Sequence, residues 1–485
     1  MNNLWTNISI IVSILWVFTA LFTIVLIIRE NRDPVKTVSW VLVVLLIPGL
    51  GFVFYILFGQ YYRKQKIFSR KELKDLERIK ILSQKQINDL DTLMQDQSKK
   101  VRSKTNIMRL LLNNSKALLT EYNAVEILVG GEKTFNSIIA ALESATDHIH
   151  MEFYKWESDR IGERFRDVLI KKAKEGVTIR LIYDDVGSWK IGSNYIKSLK
   201  KAGIEVFAFM PVQFPYFTSK ANFRNHRKIV VVDGKIGFVG GINIADKYLY
   251  GTKKLGMWRD THLKIEGEAV QSLQTIFSVD WYFISKVIIG SHSRFFPQLR
   301  IKDQNLIQIT ACGPDSDWAS IMQSYFVAIS SAKKSVYIST PYFSPNESVR
   351  TALHALALSG VEVKIILPSK SDSTVSYWNS FSYIGRMLEA GIQVYLYQKG
   401  FNHSKVLMVD GVFSSVGTAN FDNRSFDLNF EVNALIYNEK ITEKLMLLFE
   451  EDLKDCQQVL DTQWRKRPLS HKFKESLARI LGPLY

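Results

Sequence analysis

Residues 226–243, HRKIVVVDGKIGFVGGIN, return later in the chain as HSKVLMVDGVFSSVGTAN at residues 403–420. Both copies follow the pattern HxKx4DGx5GxxN, although the whole chain of 485 residues holds only 8 histidines. A repeat this far apart is too long for a solenoid period, so it predicts two duplicated domains packed about a pseudo-twofold axis. Anything near that axis is then supplied twice, once by each half.

Each copy predicts a strand, a tight turn and a returning strand. Side chains alternate along a strand, so the His and the Lys of each copy share one face: His226 with Lys228, and His403 with Lys405. The Asp-Gly pair that follows is a strong hairpin signal. We therefore interpret Asp233 and Asp410, from their spacing, as structural residues that pin the hairpin or pair with a basic group.

Strand-like and helix-like runs alternate from about residue 125, which predicts an α/β fold. The same order of runs recurs after residue 330. We place a first lobe at 125–310 and a second at 311–485, the latter ending in a basic amphipathic tail that either touches a membrane surface or packs on the core.

Two apolar runs precede the lobes, at residues 8–28 and 37–58, each long enough to cross about 30 Å of hydrocarbon as a helix. The charged link between them contains Pro34, so residues 1–62 are predicted to form a transmembrane hairpin. Pro48, Gly49 and Gly51 predict a kink in the second run, not a break. A secretory signal peptide is the alternative, but no basic residue precedes the first run.

Residues 63–124 are predicted to be a basic helical linker beside the membrane. Residues 63–109 carry 14 Lys and Arg against 6 Asp and Glu. Such a segment lies against anionic lipid or is simply a solvated helix. Because cytoplasmic segments are enriched in basic residues, we expect a multi-pass protein of the cell membrane with both termini and the lobes in the cytoplasm.

The net charge of +16 indicates an acidic partner, either phospholipid headgroups or nucleic acid. Cys312 and Cys456 are the only cysteines and are far apart, which argues against a disulfide framework or a cysteine zinc site. His148 and His150 share a strand face, yet no further ligand cluster accompanies them. We expect neither a metal nor a cofactor.

The repeated residues fit the chemistry of a phosphodiester. Each half offers an imidazole, an ammonium and, at Asn243 or Asn420, a neutral amide that can bind an oxyanion. One neutral histidine can attack phosphorus while the other, protonated, delivers a proton to the leaving alkoxide. Asp260 lies 34 residues past His226, and Glu431 lies 28 past His403. Either carboxylate can accept an Nδ1 proton and fix a tautomer, or form a surface ion pair.

The paired HxKx4D strings, the apolar hairpin ending in IPGLGFVFYILFG, and the contexts GGIN, WRDTH and NFDNRS resemble the bacterial cardiolipin synthases of the phospholipase D superfamily. This resemblance covers nearly the whole chain. It implies two α/β/α sandwich lobes with the site between them, and a phosphatidyl transfer that joins two phosphatidylglycerols into cardiolipin and releases glycerol through a phosphohistidine.

The resemblance also assigns residues. It implies catalytic roles for the two HxKx4D sets, with His226 as nucleophile and His403 as acid and then base, and supporting roles for the remaining four: His226, Lys228, Asp233, His403, Lys405 and Asp410, then Asn243, Asn420, Asp260 and Glu431. The first copy lacks the NFDNRS run of the second, so we expect the halves to differ.

Rival functions remain open at this point. A phospholipase D-type hydrolase, a phosphodiesterase or a nuclease would use the same signatures, and a lipid-binding scaffold would need none of the chemistry. The membrane hairpin favours a lipid enzyme with anionic phospholipids as partners and no nucleic acid. The sequence leaves the oligomeric state, the donor lipid and the order of the histidines undecided.

Overall fold

The structure is a computed structural model that describes residues 2–29, 34–47, 49–55, 74–212, 223–290 and 293–481. The chain divides into two compact units. The smaller comprises Met1–Lys66 with Val212–Phe223, and the larger comprises Ile67–Pro211 with Arg224–Tyr485.

The elements follow one another along the chain with a helix-rich N-terminal part and an α/β remainder. The helices are α1 (Asn2–Arg29), α2 (Pro34–Leu46), α3 (Leu50–Phe54), α4 (Lys74–Leu93), α5 (Lys99–Arg102), α6 (Thr105–Asn114), α7 (Gly130–Ser144), α8 (Arg160–Lys174), α9 (Ser193–Lys201), α10 (Lys247–Tyr250), α11 (Ala269–Ser285), α12 (Ser320–Ser330), α13 (Glu347–Leu358), α14 (Thr374–Glu389), α15 (Asn423–Asp427), α16 (Glu439–Lys454), α17 (Asp461–Trp464) and α18 (Leu469–Leu481).

The strands divide between one large sheet and two short pairs. They are β1 (Leu119–Val129), β2 (His148–Phe153), β3 (Thr178–Asp184), β4 (Glu205–Phe209), β5 (Lys228–Val232), β6 (Ile236–Gly240), β7 (Met257–Arg259), β8 (Thr261–Gly267), β9 (Gln304–Cys312), β10 (Ser335–Ser339), β11 (Phe343–Ser344), β12 (Glu362–Pro368), β13 (Gln393–Tyr397), β14 (Gly400–Asn402), β15 (Val406–Val409), β16 (Phe413–Gly417), β17 (Phe421–Asp422), β18 (Glu431–Tyr437) and β19 (Cys456–Gln458).

The smaller unit contains one helix, among the residues described, that is long and apolar enough to span a bilayer, Trp5–Arg29. The second apolar run is not the single kinked helix that we predicted. Helix α2 ends at Leu46, Gly49 adopts a φ of 73°, and the chain turns back so closely that a Cβ on Gly51 would lie 2.6 Å from the carbonyl oxygen of Val43. The 13 residues of α2 extend only about 20 Å. The part of this run beyond Tyr55 lies outside the described residues.

The larger unit is built on a sheet that passes through both lobes without interruption. Its strand order is β19-β13-β12-β10-β15-β16-β18-β9-β1-β8-β6-β5-β2-β3-β4. The order reads alike outward from the antiparallel pair β1–β9, so the predicted duplication and its pseudo-twofold symmetry are visible in the topology. The predicted lobe boundaries at 125 and 310 fall inside these two strands. The repeat instead starts at Leu119 and at Gln304, where the strands begin.

Helices cover both faces of the sheet, which gives the α/β/α layers expected. On one face, α11 and α16 pack over strands of both lobes in a shared core that includes Leu273, Val231 and Phe449. On the other face each lobe has its own core, formed with α7, α8 and α9 in the first lobe and with α6, α12, α13 and α14 in the second. The shared core therefore ties the two lobes together.

The predicted linker contributes buried residues to the core of the second lobe, from Leu90 and Met94 through α6. Ile107, Met108 and Leu111 on α6 are fully buried in the core of that lobe. The side chain of Gln308 on β9 donates hydrogen bonds to the carbonyls of Met108 and Ala117. The apolar residues of α6 recur about once per helical turn and form the packed face. In the sequence, the neighbouring basic residues made this pattern hard to recognise.

The tail helix α18 is amphipathic, and one face packs on α14 while the other is exposed. Ala478 and Glu475 are buried, and Arg467 forms a bidentate ion pair with Glu475. Leu469, Phe473 and Ile480 are 80%, 69% and 74% exposed. One face of α18 therefore packs on the core, and contact of the exposed apolar face with a membrane surface stays a prediction.

The two turn aspartates occupy structural positions. Asp233 adopts a φ of 51° and accepts hydrogen bonds from the backbone N–H groups of Thr146, Asp147 and His148. Asp410 adopts a φ of 54° and accepts from the N–H groups of residues 333–335 and from the ammonium of Lys104 at 2.7 Å.

Strands β5 and β15 separate these carboxylates from the histidines. These contacts fit the structural interpretation from spacing, and the catalytic grouping of Asp233 and Asp410 that the resemblance implied stays a prediction.

We predict that D410A lowers the thermal unfolding midpoint more than D233A. Both variants lose hydrogen bonds to backbone donors, but D410A also leaves the ammonium of Lys104, which is 1% exposed, buried without its partner. Removing one member of a buried pair costs about 3–5 kcal/mol. The double variant K104M/D410A should unfold at a higher temperature than D410A, because it leaves no unpaired charge buried. Equal losses for the two single variants, measured by thermal denaturation in detergent, would contradict this assignment.

Candidate active site

The two repeated histidines are placed by backbone pairing between the lobes. Strand β14, which precedes His403, pairs in parallel with β7 of the first lobe, and the N–H of His403 donates to the carbonyl of Arg259 at 2.7 Å. At the pseudo-symmetric position, Asn225 forms a β-bridge with Phe430, and the N–H of His226 donates to the Phe430 carbonyl at 2.9 Å. Each histidine therefore lies beside the residue that precedes the other lobe's carboxylate.

The imidazole–carboxylate hydrogen bonds cross between the lobes. The Nδ1 atom of His226 lies 2.9 Å from Oε2 of Glu431, and the Nδ1 atom of His403 lies 2.6 Å from Oδ2 of Asp260. Distances along the sequence related each carboxylate to the histidine of its own half, and that relation is wrong. The expected function of the carboxylates fits the geometry, since an ionised carboxylate accepts the Nδ1 proton and leaves Nε2 to face the reaction.

The two lysines are buried and held in the same way. The Nζ of Lys228 donates to the carbonyl of His226, and the Nζ of Lys405 to the carbonyl of His403, both at 2.6 Å. Burial lowers the pKa of Lys228 to about 7 and that of Lys405 to about 8. The charge of Lys405 further lowers the pKa of Lys228. Two ammonium groups near each other in a dry site favour binding an anion between them.

The imidazoles share this electrostatic environment. Burial lowers the pKa of His226 to about 4, against the opposing charge of Glu431, and the charges of both lysines lower it further. Burial also lowers the pKa of His403 well below its usual value, and His226 contributes to that shift. The two HxK sets therefore form one cluster, as the repeat predicted.

The two carboxylates differ in how well their charge is stabilised. Glu431 accepts a hydrogen bond from the Thr418 hydroxyl at 2.5 Å, and its pKa is lowered by His226 and Lys228 despite burial. Burial raises the pKa of Asp260 to about 7, although the charge of Lys405 opposes the shift. The residue that corresponds to Thr418 is Gly241, which has no hydroxyl to donate, and a Cβ there would lie 2.2 Å from Oδ1 of Asp260.

The two asparagines also differ. Asn243 accepts from the N–H of Lys155 at 3.0 Å and donates to the hydroxyl of Tyr248 at 2.6 Å, so its amide supports the first lobe. Asn420 has a buried Oδ1 that accepts no hydrogen bond among the residues described. The sequence treated them as equivalent oxyanion donors, and the structure shows that they have different surroundings.

Aromatic rings line the site, and the sequence analysis did not single them out. The ring of Tyr154 is 4.9 Å from that of His226, while Phe401, Tyr248 and Trp258 lie 5.7, 5.8 and 6.4 Å from the ring of His403. Within the described ranges, no three His, Cys, Asp or Glu side chains are grouped so that they could hold a metal ion.

Lys247 also approaches the site, and its charge lowers the pKa of His403. An alignment of the two repeats would have indicated Lys247, because Lys247 lies four residues after Asn243 and Arg424 lies four residues after Asn420.

Comparisons with known proteins agree with this geometry. The family model "Cardiolipin synthase, PLD-like domain" matches residues 138–281 and 325–453, and the model "Phospholipase_D-nuclease N-terminal" matches residues 10–60. The chain is 43% identical to a cardiolipin synthase of Geobacillus sp. (strain WCH70), covering 100% of this chain and 96% of that one. It is 40% identical to the major cardiolipin synthase ClsA of Bacillus subtilis (strain 168), covering 98% and 99%.

A solved phosphatidylserine synthase from Haemophilus influenzae Rd KW20 has the same fold, with a TM-score of 0.58, 16% identity, and coverage of 80% of this chain and 98% of that one. The matched family models cover more than half of the chain, and the curated relatives cover nearly all of it. This chain therefore belongs to the bacterial cardiolipin synthases of the phospholipase D superfamily.

Proposed function

We propose that this enzyme is a membrane-bound phosphatidyltransferase that converts two phosphatidylglycerol molecules into cardiolipin and glycerol through a phosphohistidine. The observation that carries the proposal is the pair of imidazoles whose Nδ1 atoms bind carboxylates of the opposite lobe. Both Nε2 atoms are thereby left for one phosphorus atom, with Lys228 and Lys405 beside them. This arrangement suits a phosphate ester that is attacked on one side and protonated on the other.

The difference between the carboxylates supports an assignment of the two roles. Glu431 stays ionised and accepts the Nδ1 proton of His226, so Nε2 of His226 carries the lone pair that a nucleophile needs. Asp260 has a pKa of about 7, so the pair that it forms with His403 retains a proton near neutral pH. His226 is therefore the nucleophile, and His403 the acid and then the base.

The reaction takes two balanced steps. Nε2 of His226 attacks the phosphorus of the donor, the bond from phosphorus to the glycerol oxygen breaks, and His403 gives its proton to that oxygen. A hydroxyl of the second phosphatidylglycerol then attacks phosphorus, the P–N bond breaks, and His403 takes the hydroxyl proton. Lys228 and Lys405 stabilise the charge on the phosphoryl oxygens in both steps.

Hydrolysis would differ only in the group that resolves the intermediate, since water would replace the lipid hydroxyl. The full-length relatives named above are cardiolipin synthases, which does not favour a hydrolase or a nuclease. Transfer between lipids also accounts for the apolar N-terminal helix, because donor and acceptor both reside in the bilayer.

The N-terminal segment is proposed to cross the membrane twice, with both termini and the lobes in the cytoplasm. Because α2 alone extends only about 20 Å, a second crossing requires the rest of the second apolar run as well. Support comes from the packing of Ile27 on α1 with Val44 and Tyr55 of the second apolar run, which makes the two runs a packed pair. The basic stretch after the second run favours the cytoplasmic side.

Incubating the purified protein with phosphatidylglycerol alone tests the function. We expect equimolar cardiolipin and glycerol, no turnover by H226A or H403A, and normal turnover by H471A, whose histidine is exposed on α18. Lipid chromatography and a glycerol assay give the readout. Phosphatidic acid as the main product would identify a hydrolase, and unchanged lipid would contradict any phosphatidyl transfer.

The pH dependence tests the assignment of the acid. The proton on the Asp260–His403 pair is present below a pH of about 7 and is lost above it, so kcat/KM should decline as the pH rises through about 7. In D260N the negative charge that favours the imidazolium is gone, so the decline should start at lower pH and kcat should fall about 100-fold or more. E431Q also withdraws a charge that raises the pKa of Lys228, so we expect it to slow the reaction and to move this limb less than D260N does. A larger shift in E431Q than in D260N would reverse the two roles.

Cysteine labelling in a C456S background tests the topology. N2C and K254C should both resist a membrane-impermeant maleimide in intact cells and react after lysis. Labelling of N2C from outside, with K254C protected, would show that the second apolar run does not cross the bilayer.

A further inference from the structure

The reaction proposed above requires a second anion site, and this inference rests on that proposal. The acceptor phosphatidylglycerol carries its own phosphodiester, which must lie near the hydroxyl that attacks. In the product, six bonds of about 1.5 Å separate the two phosphorus atoms, so they lie no more than about 8 Å apart. Attack in line with the His226–phosphorus bond puts the incoming hydroxyl on the His403 side. A cation is therefore needed beside His403.

Lys247 is on that side of the site. Its Nζ lies 4.6 Å from the ring centre of Trp258 and 5.2 Å from that of Tyr248. Both rings contact the imidazole of His403, at 6.4 and 5.8 Å between ring centres. One aromatic ring thus lies between the ammonium of Lys247 and the imidazole of His403. A glycerol bridge between two phosphates can span that separation.

The ammonium of Lys247 has no carboxylate within ion-pair distance in the part of the chain that the structure describes. The buried Lys104 and Lys172, in contrast, each contact an acidic side chain. Burial lowers the pKa of Lys247 to about 8, and Lys155 and Lys190 lower it further, while Asp372 and Glu157 oppose them from a distance. An anion bound here would stabilise the charged form.

Lys155 is held next to this position by Asn243. The Oδ1 of Asn243 accepts from the N–H of Lys155, and its Nδ2 donates to the hydroxyl of Tyr248, the neighbour of Lys247. The side chain of Lys155 is 24% exposed and its Nζ is 3.4 Å from Glu157, so it remains accessible to a ligand. Asn243 therefore fixes the two chain segments that bear the lysines.

The second lobe does not reproduce this pair. The strand registers Glu152–Ile229 and Ser339–Val406 align Lys155 with Tyr342, whose hydroxyl donates to Asp372 at 2.5 Å. A tyrosine bonded to a carboxylate stands where the first lobe has a lysine. The counterpart of Lys247 is Arg424, so the side of His226 offers one cation and a tyrosine where the side of His403 offers two lysines.

We propose that Lys247, supported by Lys155, binds the phosphodiester of the acceptor phosphatidylglycerol while the acceptor's terminal hydroxyl reaches His403. The donor phosphate occupies the central position between the histidines, and Lys247 takes no part in attack on it. The enzyme thereby selects an anionic lipid over water or a neutral alcohol as the group that resolves the phosphohistidine.

Two assays on the full-length protein separate this role from general damage. One measures cardiolipin formed from phosphatidylglycerol, which needs a charged acceptor. The other measures exchange of labelled glycerol into phosphatidylglycerol, which needs only a neutral one. The variants are K247Q, K247R as the conservative replacement, and K254Q as the control, because Lys254 is an exposed lysine in the loop that follows α10.

We expect K247Q to lower cardiolipin formation about 10- to 100-fold more than glycerol exchange, the range for losing a charged hydrogen bond. K247R should restore most of the difference, and K254Q should match the unsubstituted enzyme in both assays. Equal losses in the two assays, or no loss of cardiolipin, would overturn the acceptor site. If the unsubstituted enzyme exchanges glycerol but forms no cardiolipin, the proposed function itself fails.

Discussion

Two hydrogen bonds that cross between the lobes determine the rest of this structure. His226 is oriented by Glu431 and His403 by Asp260, and neither lobe holds both members of a pair. A hydrogen bond tolerates only a few tenths of an ångström of displacement. The lobes must therefore be fixed to each other with the rigidity of a domain core. The continuous sheet, the shared core under α11 and α16, and the β7–β14 pairing provide that rigidity.

The electrostatics of the site follow from this burial. Lys228 and Lys405 lie in a dry environment that lowers their pKa values, and both imidazoles are kept neutral for the same reason. A bound phosphodiester supplies the negative charge that favours the ammonium and imidazolium forms. In the proposed reaction, substrate binding and protonation of these groups are therefore coupled.

Sequence alone predicted much of the fold and the reactive residues, because an exact spacing repeated in a histidine-poor chain leaves few alternatives. It could not predict the crossed pairing, since distance along the chain carries no information about contacts between halves. It also misjudged residues 74–118, whose positive charge concealed the apolar positions of α6. The break after Leu46 depended on how closely Gly51 approaches Val43, a tertiary contact that the pattern of apolar residues does not report.

The antiparallel pairing of β1 with β9 has an evolutionary consequence. A single ancestral lobe would have carried an open strand edge and a histidine without its carboxylate, and two identical copies joined at that edge would have completed both pairs at once. In such a homodimer the two carboxylates would be the same residue and would titrate alike. With both lobes in one chain the two positions are free to differ, and they do: Asp260 lies beside Gly241, whereas Glu431 accepts a hydrogen bond from Thr418.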